Sequence, residues 1–215
     1  MADAALPAHP GRRSPLSHRA PIEGDRGAIR IAERQFLGKF ILRVDPGEAA
    51  DLLLGVVGMS LPTLPLSSAT AADLALLWLG PDEWMLVTPP EQADAAFADA
   101  AKALASVHHQ LIPVGDYYTL IDVSGPRARE ALMKLTTLDL HPRAFKAGMA
   151  AGSMFGRAHA TLWQVTDDAA EGGSHFRLIV RWSMADYLWC LIADAARAFG
   201  TPEQRPVEGE RLTTA

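Results

Sequence analysis

The chain has 215 residues, of which 49% are hydrophobic and 21% charged, enough apolar material for one domain to bury a core without metal or disulfide support. Its 20 Lys and Arg against 25 Asp and Glu give a net charge of −5 with no face-forming basic run, which excludes the electrostatic footprint of a nucleic-acid binder. One cysteine, Cys190, can form no intrachain disulfide and no thiol zinc site, and the longest strongly apolar run, Leu74 to Leu79, is far short of the ~20 residues of a membrane helix.

Residues 1–25 mix Pro, Gly, Arg, Ser and His with almost no apolar periodicity, so they are expected to form a flexible arm. The N-terminus has no apolar h-region behind its charges. Pro7, Pro10, Pro15 and Pro21 would break the amphipathic helix of an organellar presequence, which leaves the cytoplasm as the expected compartment. Residues 201–215 have the same character and are expected to form a flexible tail. The folded domain should therefore span residues 26–200.

Within it, Lys39 to Val44 alternates with Phe40, Leu42 and Val44 on one side, the period-two signature of a strand. Glu48 to Val56 reads as a short helix. Leu74 to Leu79 and Trp84 to Val87 flank the turn-forming Gly80-Pro81-Asp82-Glu83 and predict a hairpin. Thr88 and Glu91 stand at capping-box spacing before Ala93, Ala96, Phe97, Ala100 and Leu104, which repeat at helical spacing.

Leu120 to Val123 reads as a strand that enters Ser124-Gly125-Pro126, with Pro126 suited to the first position of a helix striped by Ala128, Ala131, Leu132 and Leu135. Ala158 to Val165 and Phe176 to Arg181 form a second predicted hairpin around the Asp- and Gly-rich Thr166 to Ser174. Ser183 and Asp186 repeat the capping spacing, and Met184, Leu188, Leu191, Ala195 and Phe199 stripe a last helix ending at Gly200. The order predicts an α+β fold, a largely antiparallel sheet with helices packed on one face.

Sequence signatures of chemistry are missing. No G-x-G-x-x-G supplies a dinucleotide turn, and G-x-x-x-x-G-K-[ST], H-E-x-x-H and G-x-S-x-G are likewise absent. The seven histidines lack the i, i+4 pairing that brings two imidazoles to one metal, so exposed or locally bonded rings are expected. Cys190 lies in the apolar run Leu188 to Ile192 and reads as a small buried hydrophobe rather than a nucleophile. Of Trp78, Trp84, Trp163, Trp182 and Trp189, most should be core; Trp182, beside Arg181 and Ser183 at a strand end, is the candidate for an interface. Arg143 and Arg181 could grip an anion, though a solvated or internally paired guanidinium is the plainer reading of each.

The segment Val123-Ser124-Gly125-Pro126-Arg127-Ala128-Arg129-Glu130-Ala131-Leu132 resembles the strand-to-helix junction of the aminomethyltransferase (glycine-cleavage T-protein) superfamily. Leu138-Asp139-Leu140-His141-Pro142-Arg143-Ala144-Phe145, Gly148, Ala160-Thr161-Leu162-Trp163, and Arg181 with Ser183-Met184-Ala185-Asp186-Tyr187-Leu188 resemble, within it, the gamma-subunit family of heterotetrameric sarcosine oxidases. Trp78-Leu79-Gly80-Pro81-Asp82-Glu83-Trp84 adds an earlier block, and the resemblance covers about Ile29 to Phe199.

The resemblance implies an aminomethyltransferase-like domain and a subunit of a complex that oxidises sarcosine to glycine, reducing oxygen to hydrogen peroxide and releasing formaldehyde or methylene-tetrahydrofolate. It implies alpha, beta and delta partner subunits that carry FAD, FMN, NAD, zinc and tetrahydrofolate, and no catalytic, cofactor-binding or metal residue in this chain. The expected role is assembly, with His141, Pro142, Arg143, Arg181, Trp182, Ser183 and Tyr187 as candidate subunit contacts. The alternative is a stand-alone folate-binding module in which Asp122 or Asp139 grips the pterin and Arg143 or Arg181 the glutamate tail.

Overall fold

The computed structural model describes residues 12–168 and 173–206. Among these residues eleven strands run in chain order: β1 (Ile22–Glu23), β2 (Arg30–Arg34), β3 (Gly38–Val44), β4 (Ser68–Ala71), β5 (Leu74–Gly80), β6 (Glu83–Thr88), β7 (His109–Pro113), β8 (Tyr118–Gly125), β9 (Ala150–Phe155), β10 (Ala158–Asp168) and β11 (Gly173–Arg181). Four α-helices accompany them: α1 (Pro46–Val57), α2 (Ala93–Ala103), α3 (Ala128–Met133) and α4 (Trp182–Ala195).

The strands form two antiparallel sheets, a six-stranded one in the order β1-β2-β8-β11-β10-β9 and a five-stranded one in the order β4-β5-β6-β3-β7. Period-two alternation decides how they stack. In the five-stranded sheet Phe40, Leu42, Val44, Leu76, Trp84 and Leu86 face α1 and α2, where they meet Ala49, Leu53, Val57 and Ala100. In the six-stranded sheet Ile121, Val123, Leu162, Phe176, Leu178 and Val180 face α3 and α4, where they meet Ala131, Leu132, Leu188, Trp189 and Ile192.

The intervening residues point the other way. Ala75, Leu77, Met85 and Val87 of one sheet pack on Leu120, Ala150, Trp163 and Ile179 of the other. The result is a helix–sheet–sheet–helix stack, each sheet carrying its helices on one face. Fully burying a side chain of Leu or Phe size stabilises by roughly 1.5–3 kcal/mol. Trp84 is wholly buried, with its indole N–H donating to Pro62 O at 2.8 Å.

Several local expectations are corrected. Neither capping box forms: Thr88 ends β6 and its hydroxyl donates to Pro89 O, and α2 and α4 begin without a side-chain cap. Asp186 is occupied instead by Arg19 and His18. Pro126 is not the first helical residue, because β8 continues to Gly125 and α3 starts at Ala128. α1 is capped by Asp45, whose carboxylate accepts from Gly47 N at 2.7 Å, and it closes on Gly58 at φ 70°, which suits glycine.

The tails are also corrected where they are described; residues 1–11, 169–172 and 207–215 of the expected arm, hairpin loop and tail lie outside the described residues. From Arg12 onward the arm is docked on the body. Leu16 is wholly buried in the α3–α4 core, and Ile22 pairs with Ile31 to add an edge strand. Ser14 Oγ donates to Glu33 at 2.5 Å, and Arg12 donates to Asp116 at 2.9 Å. At the other end Thr201 is buried and donates to Ala193 O at 2.7 Å. Two apolar anchors, Leu16 and Ile22, and a few hydrogen bonds suffice to order segments whose composition alone does not call for order. Among the described residues no helix is long and apolar enough to cross a membrane.

Candidate functional site

Two surface features stand out, at opposite ends of the six-stranded sheet. The first lies where β8 begins and β11 ends. Tyr117 and Trp182 are 47% and 38% exposed, and Trp182 N donates to Tyr117 O at 3.0 Å. The Arg181 guanidinium sits 5.2 Å from the Tyr117 ring centroid, and Tyr117 meets Tyr118 edge-on at 4.7 Å. An arginine between a tyrosine and a tryptophan, held by its neighbours yet open to solvent, has the residue types of protein–protein hot spots. Burial pushes the Tyr118 hydroxyl above its ordinary pKa, with the Tyr117 ring hydroxyl adding to the effect, so Tyr118 remains a neutral hydrogen-bonding group.

The sequence-predicted contact residues divide between the two ends. Arg181, Trp182 and Ser183 are exposed at the first. Tyr187, one turn into α4, is partly buried and accepts from Arg157 N at 3.2 Å. His141, Pro142 and Arg143 are exposed on a turn in which Asp139 accepts from His141 N at 2.9 Å, and Arg143 N donates to His141 Nδ1 at 3.2 Å. Arg129 ties that turn to the sheet by donating to Leu140 O and Phe145 O and pairing with Asp167, which accepts from Ser174 at 2.6 Å. From Ser174 to Arg181 the strand runs ~23 Å at ~3.3 Å per residue, so the two groups form separate patches. Tyr117, the residue that completes the aromatic patch, was not singled out from the sequence, because its proximity to Arg181 follows only from the β8–β11 register.

The second feature is a groove of ≈ 510 Å³ near the start of β11. The inner face of the six-stranded sheet is apolar where the second sheet covers it, in the row Leu120, Ile179. One row further, Ala32, Asp122, Arg177 and Trp163 stand in register, and beyond them Glu23, Arg30, Ser124, His175 and Thr166. The face turns polar past the cover of the second sheet.

Asp122 is the buried centre of this region, 6% exposed. Its Oδ1 lies 3.2 Å from Arg177 Nε and 3.3 Å from His175 Nε2, and its Oδ2 lies 3.9 Å from Arg34 Nε. Burial alone would raise its pKa, but the His175 hydrogen bond and the charges of Arg177 and Arg34 outweigh that and hold the carboxyl below its ordinary range. Arg177 also lies over the Trp163 ring at 5.0 Å. The partners of Asp122 are thus Arg34, His175 and Arg177, while the two arginines that the folate alternative assigns to the glutamate tail stand elsewhere, Arg181 at the end of β11 and Arg143 on the His141 turn. Asp139 is spent on its own turn.

Among the described residues no group of three or more His, Cys, Asp or Glu is gathered so as to hold a metal ion. Cys190 is buried beside Arg19, whose guanidinium donates to Sγ at 3.4 Å, and burial pushes the thiol above its ordinary pKa. Burial outweighs the lowering pull of the Arg19 charge and disfavours the thiolate a nucleophile needs.

Residues 43–198 match the family model described as the sarcosine oxidase, gamma subunit family. The chain is 29% identical over 196 residues to the sarcosine oxidase subunit gamma of an Arthrobacter species, covering 89% of this chain and 93% of that one. It is 28% identical over 202 residues to the corresponding subunit of Corynebacterium sp. strain U-96, with coverage of 89% and 93%. Among solved structures, a chain of the heterotetrameric sarcosine oxidase from Corynebacterium sp. U-96, in complex with pyrrole 2-carboxylate, superposes with a TM-score of 0.78 at 27% identity, covering 90% of this chain and 99% of that one. The glycine cleavage system aminomethyltransferase T from Bartonella henselae superposes with a TM-score of 0.60 at 16% identity over 78% of this chain and 46% of its own, a likeness of fold.

Proposed function

Since this chain belongs to the sarcosine oxidase gamma subunit family, we propose that it acts as a non-catalytic assembly subunit of a heterotetrameric sarcosine oxidase. The complex would demethylate sarcosine oxidatively to glycine, with hydrogen peroxide and formaldehyde or methylene-tetrahydrofolate as further products. Flavin, NAD, zinc and folate chemistry would belong to the alpha, beta and delta partners in the cytoplasm. The missing dinucleotide and phosphate-loop motifs support that division.

The observation that carries the reading is the Tyr117–Arg181–Trp182 patch. Tyr117 and Arg181, held by two ring contacts, lose little side-chain entropy when a partner covers them, and the exposed Trp182, tied to Tyr117 through its backbone N–H, adds a second aromatic surface beside them. Such a cluster can anchor an interface of at least ~800 Å² per partner. The separate His141–Arg143 turn offers a second contact at the far end of the sheet.

The test is co-expression with tagged alpha and beta subunits. Trp182→Ala combined with Tyr117→Ala should cut recovery of this chain with the flavoprotein about tenfold while the isolated variant keeps its circular dichroism. Full assembly and turnover without this chain would refute the assembly role. Saturable binding of tetrahydrofolate by the isolated chain would favour the folate module.

A further inference from the structure

We propose that the groove around Asp122 is a binding site for a small oxyanion, a carboxylate or phosphate group, recognised by Arg30 and Arg34.

Among the described residues the groove is lined by Arg30, Arg34 and His175 together with two acids, Asp122 and Glu23, while Arg177, paired with Asp122, lies outside the lining. Asp122 is taken up by Arg177 and His175, which lie within 3.3 Å of its Oδ1. Arg34 reaches Asp122 only through a 3.9 Å ion pair, and Arg30 reaches Glu23 only at 3.6 Å. Among the described residues neither Arg30 nor Arg34 donates a hydrogen bond, so two guanidiniums, each a planar fork of five N–H donors, stand on the rim with their hydrogen-bonding capacity unused. Both lie on the same face of β2, one on either side of Ala32. The hydroxyls of Ser124 and Thr166 line the same groove and make no hydrogen bond to described residues.

The backbone is tightly packed along one border of the groove. Gly125 and Gly173 border the groove at φ 118° and φ 101°, and a Cβ on either would lie 2.7 Å or less from neighbouring backbone. The volume, ≈ 510 Å³, falls within the range of small-molecule sites, whose walls are usually apolar. These walls are not. Among the described residues Ile29 is the one large apolar residue of the lining and it is wholly buried, so these residues offer a protein partner no aromatic or aliphatic anchor. Two guanidinium forks without hydrogen-bond acceptors among the described residues, beside two hydroxyls, suit a compact anion that accepts several charge-assisted hydrogen bonds.

Isothermal titration of the full chain, and of the complex co-purified with its partners, tests the site with succinate and with inorganic phosphate at constant ionic strength. Saturable binding of at least one anion is expected, weakened about tenfold or more in Arg34→Gln and further in Arg30→Gln/Arg34→Gln. Arg43→Gln, a surface arginine paired with Asp82, should bind as the wild type does. Both rim side chains are 46% exposed, so the variants should fold, which thermal melting without ligand verifies. Succinate alone would identify a carboxylate ligand, and phosphate alone a phosphate ligand. No saturable binding of either, or binding that survives the double substitution, overturns the proposal. Binding by the isolated chain that vanishes in the complex would assign the groove to an acidic segment of a partner subunit and overturn it as well.

Discussion

Arg19 and Asp186, 167 residues apart in sequence, meet at 2.8 Å, and the same guanidinium donates to Gln204 Oε1 at 3.0 Å and Arg205 O at 2.6 Å. One side chain thus ties the N-terminal arm, α4 and the C-terminal segment together. Arg19 is 11% exposed, so its removal leaves several acceptors without their charged donor. Arg19→Ala should cost about 2–3 kcal/mol in urea denaturation, and Arg19→Lys should recover little, because an ammonium cannot reproduce the fork. Hydrogen exchange in residues 12–21 and 201–206 should rise in both variants.

Asp122 gives the stability an acid limb. Its carboxyl is held below the ordinary value of 3.8 in the folded chain, so its contribution is fully present above that value and disappears as pH falls below it through the folded value. Asp122→Asn should remove this part of the acid dependence. At neutral pH the same variant leaves the largely buried Arg177 without its counter-ion and should lose about 3 kcal/mol. Urea midpoints measured from pH 7 down to pH 3 distinguish the two effects; a variant with the wild-type acid limb would contradict the assignment.

Lys39 does the reverse. It is 1% exposed between the sheets with one hydrogen bond, 2.8 Å to Leu37 O, and its pKa falls from 10.5 to about 8, chiefly through burial and then through Arg12, against the opposing pull of Asp116 and Glu33. Below the folded value the buried ammonium costs stability; between about 8 and 10.5 the unfolded chain binds more protons, so stability rises with pH. Tyr118, whose pKa is raised above 10.0, acts in the opposite sense at higher pH, which makes pH 8 to 10 the informative window. Lys39→Met should flatten the rise in urea midpoint across that window.

The legible parts of the fold were those that periodicity alone specifies. Phe40, Leu42 and Val44 do share one face, and the hairpins β5–β6 and β10–β11 follow their turn residues. β1, β2, β4, β7 and β9 were not legible: they are short or weakly apolar, and pairing rather than composition makes them strands. Trp182 was marked as exposed from its polar neighbours, and it is. The groove was hidden because Arg34, Asp122, His175 and Arg177 come from three strands, and only the register sets them in adjacent rows. Lys39 read as the outer side of a lone strand, since nothing local announces that a second sheet will cover it.

Gly125 and Gly27 provide a controlled comparison at the rim of that groove. Both have positive φ, 118° and 73°, so alanine is strained at either position. They differ in surroundings. A Cβ at Gly27 meets nothing within 4 Å, whereas one at Gly125 would stand 2.7 Å from Ala28 O and 3.0 Å from Ile29 Cα. Those obstacles are backbone, and Ala28 O is already the acceptor for Arg127 N at 2.9 Å, so moving it aside breaks the link between the segment before β2 and the turn into α3. Gly27→Ala should therefore cost about 1–2 kcal/mol, the strain of left-handed backbone. Gly125→Ala adds overpacking of about 1–3 kcal/mol to a similar strain. Paired urea titrations read the difference directly, and equal losses would mean that the β2–β8 backbone yields at Gly125, so that close approach is not what requires glycine there.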